Sequence, residues 1–167
     1  MKHLLGLALA AAIATPAFAQ SLALQGPDGQ AATLSAADVA AMPHVTVTAT
    51  HHGKTSTFEG VPLDQVLARV GAAVGKAVHG RELATVVRVT AKDGYQVVFG
   101  LAETDPGTRA DRIILVDRAD GAPLKADEGP FRIVAAGDLR PARSARMIEK
   151  IEVIRMTTTK PSGAAHH

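Results

Sequence analysis

Four arginines fall within fifteen residues near the carboxyl end of the sequence: Arg132, Arg140, Arg143 and Arg146. Within that stretch only Asp138 opposes their charge, and the last three flank a loop containing Gly137 and Pro141. A guanidinium group offers a planar fork of hydrogen-bond donors, so loop arginines beside exposed backbone amides suit an oxyanion or a phosphate. The alternative is a solvated basic rim paired with surface carboxylates, which composition alone favours because loop charges are usually exposed.

The adjacent histidines His51 and His52 are the other side chains whose spacing could do chemistry. Neighbouring side chains on a strand point to opposite faces, so this pair cannot easily chelate one metal ion. A metal site would need a third ligand, for which the sequence offers His44, His79, Asp93 and Glu59. We interpret the pair as exposed turn histidines and predict no metal site.

The composition excludes several functional classes. The 167 residues include no Cys, and 18 Lys plus Arg against 16 Asp plus Glu leave a formal net charge of +2. Without Cys the chain has no disulfide, no thiolate nucleophile and no thiolate-bound metal. The near-balanced charge and an aromatic content of 3% argue against nucleic-acid binding. No segment fits a Ser-His-Asp triad, a Walker loop or a dinucleotide fingerprint, so we predict no catalytic residue.

The amino-terminal residues have the pattern of a secretory signal peptide. A short positive start precedes an apolar run, and Ala17-Phe18-Ala19 is a small-x-small cleavage site. The run is shorter than the ~20 apolar residues that span a bilayer, so no stable membrane insertion is expected. No twin arginine precedes it, which favours export of the unfolded chain. We predict a signal peptide over residues 1–19, one domain over 20–156, a disordered tail over 157–167 and a periplasmic location.

Short strands dominate the predicted elements, with helices placed irregularly between them. Residues 22–34 read as a hairpin, and Ser35 with Asp38 predicts a capping box that starts a helix ending at Met42. A second helix is predicted from Gly60 to Val70. Alternation and β-branched runs predict strands over residues 44–50, 54–58, 84–91, 95–99, 113–116, 131–135 and 147–156. This order favours an α+β fold with mixed or antiparallel sheets.

Several short blocks follow one another in a characteristic order between Ser35 and Met156. They are Gly60-Val61-Pro62-Leu63, Asp93-Gly94-Tyr95, Asp120-Gly121-Ala122-Pro123-Leu124, Gly129-Pro130-Phe131-Arg132, and Ala142-Arg143-Ser144-Ala145-Arg146 with the ending Ile151-Glu152-Val153. In order and spacing together they resemble the sulfite-oxidase-type molybdopterin-binding domain. The resemblance implies an α+β fold of mixed sheets and a pocket that holds a pyranopterin and its phosphate.

The resemblance also suggests roles for individual residues. Arg143, Ser144 and Arg146 match the family's basic loop that grips the cofactor phosphate, and Arg146 stands where a lysine is usual. Tyr95 matches an aromatic residue that borders the pocket, although a buried tyrosine with a satisfied hydroxyl is an equal interpretation. With the remaining arginines of the cluster, the candidate cofactor-binding residues are Tyr95, Arg132, Arg140, Arg143, Ser144 and Arg146.

One departure from the family pattern governs the expected mechanism. Catalytic members hold molybdenum through a cysteine thiolate, and the matching stretch here is Thr48-Ala49-Thr50-His51-His52. A hydroxyl or an imidazole is a harder and poorer ligand for a metal already held by dithiolene sulfur. In this family the finished cofactor is inserted before the folded protein crosses by the twin-arginine route, and this leader lacks the arginines.

We therefore expect an exported, degenerate member of the family that works without molybdenum turnover. Its partner would be a small anionic ligand, which could be pterin-like, or a periplasmic redox protein. No resident cofactor is expected, although the resemblance to the family also allows molybdopterin. The alternative is a genuine molybdopterin-dependent oxidoreductase in which His51 or Thr50 replaces the thiolate. A third possibility is an accessory subunit of a periplasmic redox partner.

Overall fold

The computed structural model describes residues 21–51 and 53–157, which form ten strands and three short α-helices. The strands are β1 (Ser21–Gln25), β2 (Ala31–Ser35), β3 (Val45–His51), β4 (Lys54–Pro62), β5 (Thr85–Ala91), β6 (Gln96–Gly100), β7 (Ile113–Ala119), β8 (Ala122–Pro123), β9 (Arg132–Ala135) and β10 (Ile148–Arg155). The helices are α1 (Ala36–Ala40), α2 (Leu63–Ala68) and α3 (Leu101–Thr104). Single 3-10 turns occupy Gly75–Ala77, Gly80–Ala84 and Pro141–Arg143.

Two five-stranded sheets make up the fold. The first sheet has the order β2-β1-β10-β5-β6 and is mixed, because β1 runs parallel to β10 while its other pairs are antiparallel. The second sheet has the order β3-β4-β7-β8, with β9 also paired to β7, and all of its pairs are antiparallel. The α+β class with mixed sheets is thus confirmed.

Strand β7 is buried on both faces, which explains its unbroken apolar sequence. Ile113 and Leu115 belong to the main core, whereas Ile114 and Val116 belong to a smaller cluster around Phe58. Successive strand residues point to opposite faces, so a strand between two apolar layers cannot alternate with polar residues. The smaller cluster supports the part of the second sheet on which the candidate site lies.

Most predicted elements are confirmed, and the structure adds helix α3, which the sequence analysis does not predict. The Ser35–Asp38 capping box is present, with the amide of Asp38 donating to Ser35 Oγ at 3.1 Å. The predicted second helix is wrong at its start, because residues 60–62 continue β4 and pair with β7. Gly60 allows this pairing, since a Cβ there would lie 2.2 Å from the carbonyl oxygen of Leu115.

The predicted signal peptide and most of the predicted tail lie outside the described residues, as does His52. In the part that is described, no helix has the length and apolar character needed to cross a membrane.

Candidate functional site

A cleft of about 1010 Å³ lies where the second sheet meets the connections at one end of the first sheet. Lys54, Ser56 and Phe58, which are alternate residues of β4, line it together. The turn between β5 and β6 contributes Asp93 and Tyr95. The connection between β9 and β10, residues 136–147, supplies much of the remaining wall, and we call it the arginine loop.

Five of the six predicted cofactor-binding residues line this one cleft: Tyr95, Arg132, Arg140, Ser144 and Arg146. The sixth, Arg143, is not among the lining residues. The structure therefore brings together residues that are up to 51 positions apart, from Tyr95 to Arg146, and separates Arg143 from its two arginine neighbours on the loop.

Arg132 is a buried cation in the wall of the cleft, and 6% of its surface is exposed. Its guanidinium lies 4.9 Å from the centre of the Phe58 ring, and Nη1 donates to Glu128 Oε1 at 3.1 Å. Burial lowers the pKa of Arg132, the carboxylate of Glu128 opposes this effect, and the positive charge of Arg146 lowers the pKa further. Two guanidinium groups thus act on each other within the cleft, and this arrangement favours an anion between or beside them.

Four further cations line the cleft on exposed positions: Lys54, Lys125, Arg140 and Arg146. Within the described parts of the chain none of these four has an ion-pair partner. With Arg132 they make five cationic side chains, against three lining carboxylates, Asp93, Asp120 and Glu128. A concave surface with surplus charge of one sign concentrates ligands of the opposite sign.

Arg143 is held on the far side of the loop by carboxylates. Its Nε and Nη2 donate to the two oxygens of Asp138 at 2.9 and 2.8 Å, and Nη1 donates to Glu103 Oε1 at 3.0 Å. Its guanidinium also lies 4.8 Å from the centre of the Phe99 ring. The hydrogen bonds to Asp138, above all, raise the pKa of Arg143, so the group is a permanent cation. Arg143 therefore fits the alternative interpretation of the sequence, in which the basic residues pair with carboxylates.

The backbone of the arginine loop is fixed from several sides. The amide of Ala135 donates to Ser144 Oγ at 3.2 Å, which leaves this predicted phosphate residue buried at the base of the loop. The Tyr95 hydroxyl donates to the carbonyl of Ala142 at 2.8 Å and links the β5–β6 turn to the loop. Gly137 has a φ of +83°, and a Cβ there would lie 2.3 Å from Asp111 Oδ2. Because the loop backbone is fixed in this way, little of its conformational entropy is lost when Arg140 and Arg146 bind a ligand.

The histidines do not assemble a metal site in the described residues, which contain no group of three or more His, Cys, Asp or Glu side chains able to hold an ion. His44 lies between the carbonyl of Met42, 2.7 Å from Nδ1, and the carboxylate of Asp117, 3.2 Å from Nε2. His51 ends β3, where its backbone is the register partner of Lys54. The prediction that no metal site is present stays a prediction, because His52 is not described.

Sequence reasoning missed the β4 contribution to the cleft. Lys54, Ser56 and Phe58 were assigned only to a strand, and nothing in their spacing shows which sheet face would meet the arginine loop. The available signal was alternation, which places the three on one face. The position of Glu128 next to a turn predicts a solvated carboxylate, yet Glu128 pairs with Arg132 inside the cleft.

A comparison with known protein families identifies the family of this chain. Residues 12–162 match the family described as oxidoreductase molybdopterin binding domain. The chain belongs to that family, and the predicted resemblance is confirmed. A comparison with curated proteins finds no match.

A solved structure with the same fold is the crystal structure of the sulfane dehydrogenase SoxCD from Paracoccus pantotrophus. The TM-score is 0.63 at 16% sequence identity, and the match covers 81% of this chain. It covers 38% of the SoxCD chain, so this protein spans well under half the length of that one. The sulfite-oxidase-like molybdopterin-binding fold predicted from the sequence is thereby confirmed.

The family implies a pyranopterin cofactor, and the residues present fit one part of it. The cationic cleft with Arg132, Arg140 and Arg146 suits a phosphate on an organic ring. The metal-binding part does not fit, because no cysteine exists anywhere in the sequence to supply a thiolate. We therefore derive no reaction step through a molybdenum centre.

Proposed function

We propose that this protein is an exported member of its family that binds a small phosphorylated, pterin-like ligand in the cationic cleft without molybdenum turnover. The observation that supports the proposal is that Arg132, Arg140 and Arg146 line one cleft, in which Arg132 donates to Glu128. An anion there would offset the mutual repulsion of the guanidinium groups and form charge-assisted hydrogen bonds with them.

The loss of metal chemistry is supported by the residues at one position of the family pattern. The residues matching the family's cysteine position are Thr48-Ala49-Thr50-His51-His52, and oxygen or imidazole ligands bind a soft, sulfur-rich metal centre poorly. A periplasmic location follows from this proposal, with the ligand acquired after export.

The test is stabilisation of the purified mature protein by inorganic phosphate. Ligand that binds only the folded state stabilises it by ~2.7 kcal/mol at a hundredfold excess over the dissociation constant, so the melting temperature should rise with phosphate concentration. The double variant Arg140→Ala/Arg146→Ala should lose this rise and keep its melting temperature without phosphate. The matched control Arg69→Ala/Arg81→Ala removes the same charge from exposed positions outside the cleft and should retain the rise.

Two results would contradict the proposal. If phosphate at constant ionic strength leaves the melting temperature of the unmodified protein unchanged, the cleft does not bind this anion. If protein isolated from its native host contains molybdenum in a one-to-one ratio by elemental analysis, the alternative of a molybdopterin-dependent oxidoreductase is correct.

A further inference from the structure

Strand β3 is an edge of the second sheet, where it pairs with β4 on one side only. With seven residues it is longer than β2, β6 and β8, the strands at the other ends of the two sheets. Native proteins commonly protect such an edge with a charged side chain, a proline or a β-bulge. Residues 45–50 contain no charged residue and no proline, and their pairing with β4 has no register shift. This strand therefore lacks the usual protection against pairing with another strand.

The backbone groups of three threonines on β3 point away from β4. Thr48 is the register partner of Thr57, whose amide donates to Asp120 Oδ1 at 2.9 Å and whose carbonyl accepts from the Asp120 amide at 2.8 Å. Opposite residues of an antiparallel pair either exchange both backbone bonds or both turn away from each other. The N–H and C=O of Thr48 therefore point outward, as do those of Thr46 and Thr50 by alternation. No backbone bond from another described element reaches them.

The sequence of β3 is self-complementary in an antiparallel pair. A second copy, related by a two-fold axis at Thr48, would place the Thr48 residues of the two copies opposite each other. Thr46 would then lie opposite Thr50, and Val47 opposite Ala49. The three outward-facing threonines would form hydrogen-bonded pairs with about six N–H···O bonds in total. A register moved along the strand leaves at least one threonine without a threonine opposite it.

The side chains on both faces of β3 are compatible with this pairing. The three threonines are exposed, and threonines opposite each other on neighbouring strands stabilise a sheet. Val47 and Ala49 are half-buried against the smaller apolar cluster around Phe58, and the pairing would cover part of the surface that they still expose. Residues 45–50 carry no charge, so the two-fold axis brings no like charges together within this segment.

We infer that β3 is a homodimerisation edge, at which two copies of this chain join their second sheets into one continuous sheet. Pairing of a single seven-residue strand buries less surface than a standard interface, so the dimer is weak and forms at micromolar or higher concentrations. The clefts of the two copies would open on the same face of the joined sheet, with their β4 walls three strand spacings, about 14 Å, apart. The inference does not depend on what the cleft binds.

Sedimentation velocity of the purified mature protein, from micromolar to millimolar concentration, tests the dimer. Thr48→Lys should raise its dissociation constant about fivefold, because two like charges would lie directly opposite each other on the axis. Thr48→Glu should have the same effect, and an equimolar mixture of the two variants should recover the dimer, since opposite charges then meet. Recovery in the mixture also shows that both variants are folded.

Thr57→Lys is the matched control. It adds the same charge to an exposed position on the same face, one strand away from the edge. The two introduced charges would be about 14 Å apart, which exceeds the screening length of about 8 Å at physiological ionic strength. This variant should therefore associate as the unmodified protein does.

Hydrogen exchange identifies the surface that pairs. The amides of Thr46, Thr48 and Thr50 should exchange more slowly as the protein concentration rises. The amides of Val47 and Ala49 point toward β4 and should change little.

Three results would overturn the inference. The first is a protein that stays monomeric over the whole concentration series. The second is a Thr48→Lys variant that associates as tightly as the unmodified protein, because the dimer then uses another surface. The third is slow exchange of the three threonine amides at every concentration, because a segment of the same chain then covers the edge.

Discussion

Arg143 and Arg146 lie three residues apart in one motif, yet they face different surroundings. Arg143 reaches Asp138 and Glu103, while Arg146 is exposed on the cleft and acts on Arg132. The 3-10 turn Pro141–Arg143 ends at Ser144, whose buried hydroxyl fixes the chain between the two arginines. Motif position therefore identifies a basic loop, and local backbone geometry decides which of its cations is available to a ligand.

Arg143→Ala should destabilise the protein. The change leaves Asp138, whose side chain is 13% exposed, without its bidentate partner, and breaking a partly buried ion pair of this kind costs about 2 kcal/mol. Urea unfolding at pH 7 measures the loss. Arg146→Ala, an exposed change, should cost less than about 0.5 kcal/mol. Equal stability of the two variants would contradict the division of roles between these arginines.

The β3–β4 hairpin supplies cleft residues for which the sequence predicts only a strand. Its seven register pairs run from Val45↔Gly60 to His51↔Lys54, and they set the face on which Lys54 and Phe58 meet the cleft. A shift of the register by one residue would turn these side chains to the opposite face. Residues 48–51, which belong to the stretch that resembles the family's cysteine position, lie on β3 of this hairpin.

Helix α1 has five residues and depends on its amino-terminal cap. Ser35 Oγ accepts from the amide of Asp38 at 3.1 Å, and Asp38 Oδ2 accepts from the amide of Ser35 at 2.8 Å. Ser35→Ala removes half of this reciprocal pair and should lower the free energy of unfolding by about 1 kcal/mol. Ser35 Oγ also donates to Asp38 Oδ2 at 2.6 Å, so Ser35→Thr, which keeps a hydroxyl, should recover most of the loss. Unfolding curves in urea measure both, and an unchanged Ser35→Ala variant would show that packing alone holds the helix.

The ion pairs of two carboxylates, Asp138 and Glu152, make the stability of the folded protein depend on pH in the acid range. Hydrogen bonds from Arg143, and then Arg109, hold the pKa of Asp138 below its ordinary 3.8 despite burial. Burial alone would raise the pKa of Glu152, but hydrogen bonds from Lys150 and Arg88 hold it below 4.5. Each carboxylate therefore binds a proton less readily in the folded state than in the unfolded chain.

The free energy of unfolding should accordingly be highest above pH 4.5 and fall as the pH drops through the folded-state pKa values of these groups. A folded-state pKa lower by one corresponds to about 1.4 kcal/mol before screening by solvent. Urea unfolding at several pH values between 7 and 2 measures the slope. Asp138→Asn should be less stable at pH 7 and should show a shallower acid dependence; an identical slope would remove Asp138 from the explanation.

Features that depend on neighbouring residues and on residue types could be predicted before the fold was known. Alternation located most strands, the Ser35–Asp38 spacing located a helix start, and the absence of Cys excluded a thiolate ligand wherever the chain folds. The order of its short motifs was also enough to indicate the family. These properties need no knowledge of which distant segments meet.

The composition of the candidate site could not be predicted in the same way, because it depends on contacts between distant segments. Glu103, which is 40 positions away in the sequence, forms an ion pair with Arg143, and Arg143 does not line the cleft. Strand pairing brings Lys54 and Phe58 to the same cleft as the arginine loop. Residues 60–62, whose local pattern favours a helix, extend β4 because β7 supplies hydrogen-bond partners. Long-range pairing has no local sequence signature, since its energy comes from two segments whose proximity only the folded chain establishes.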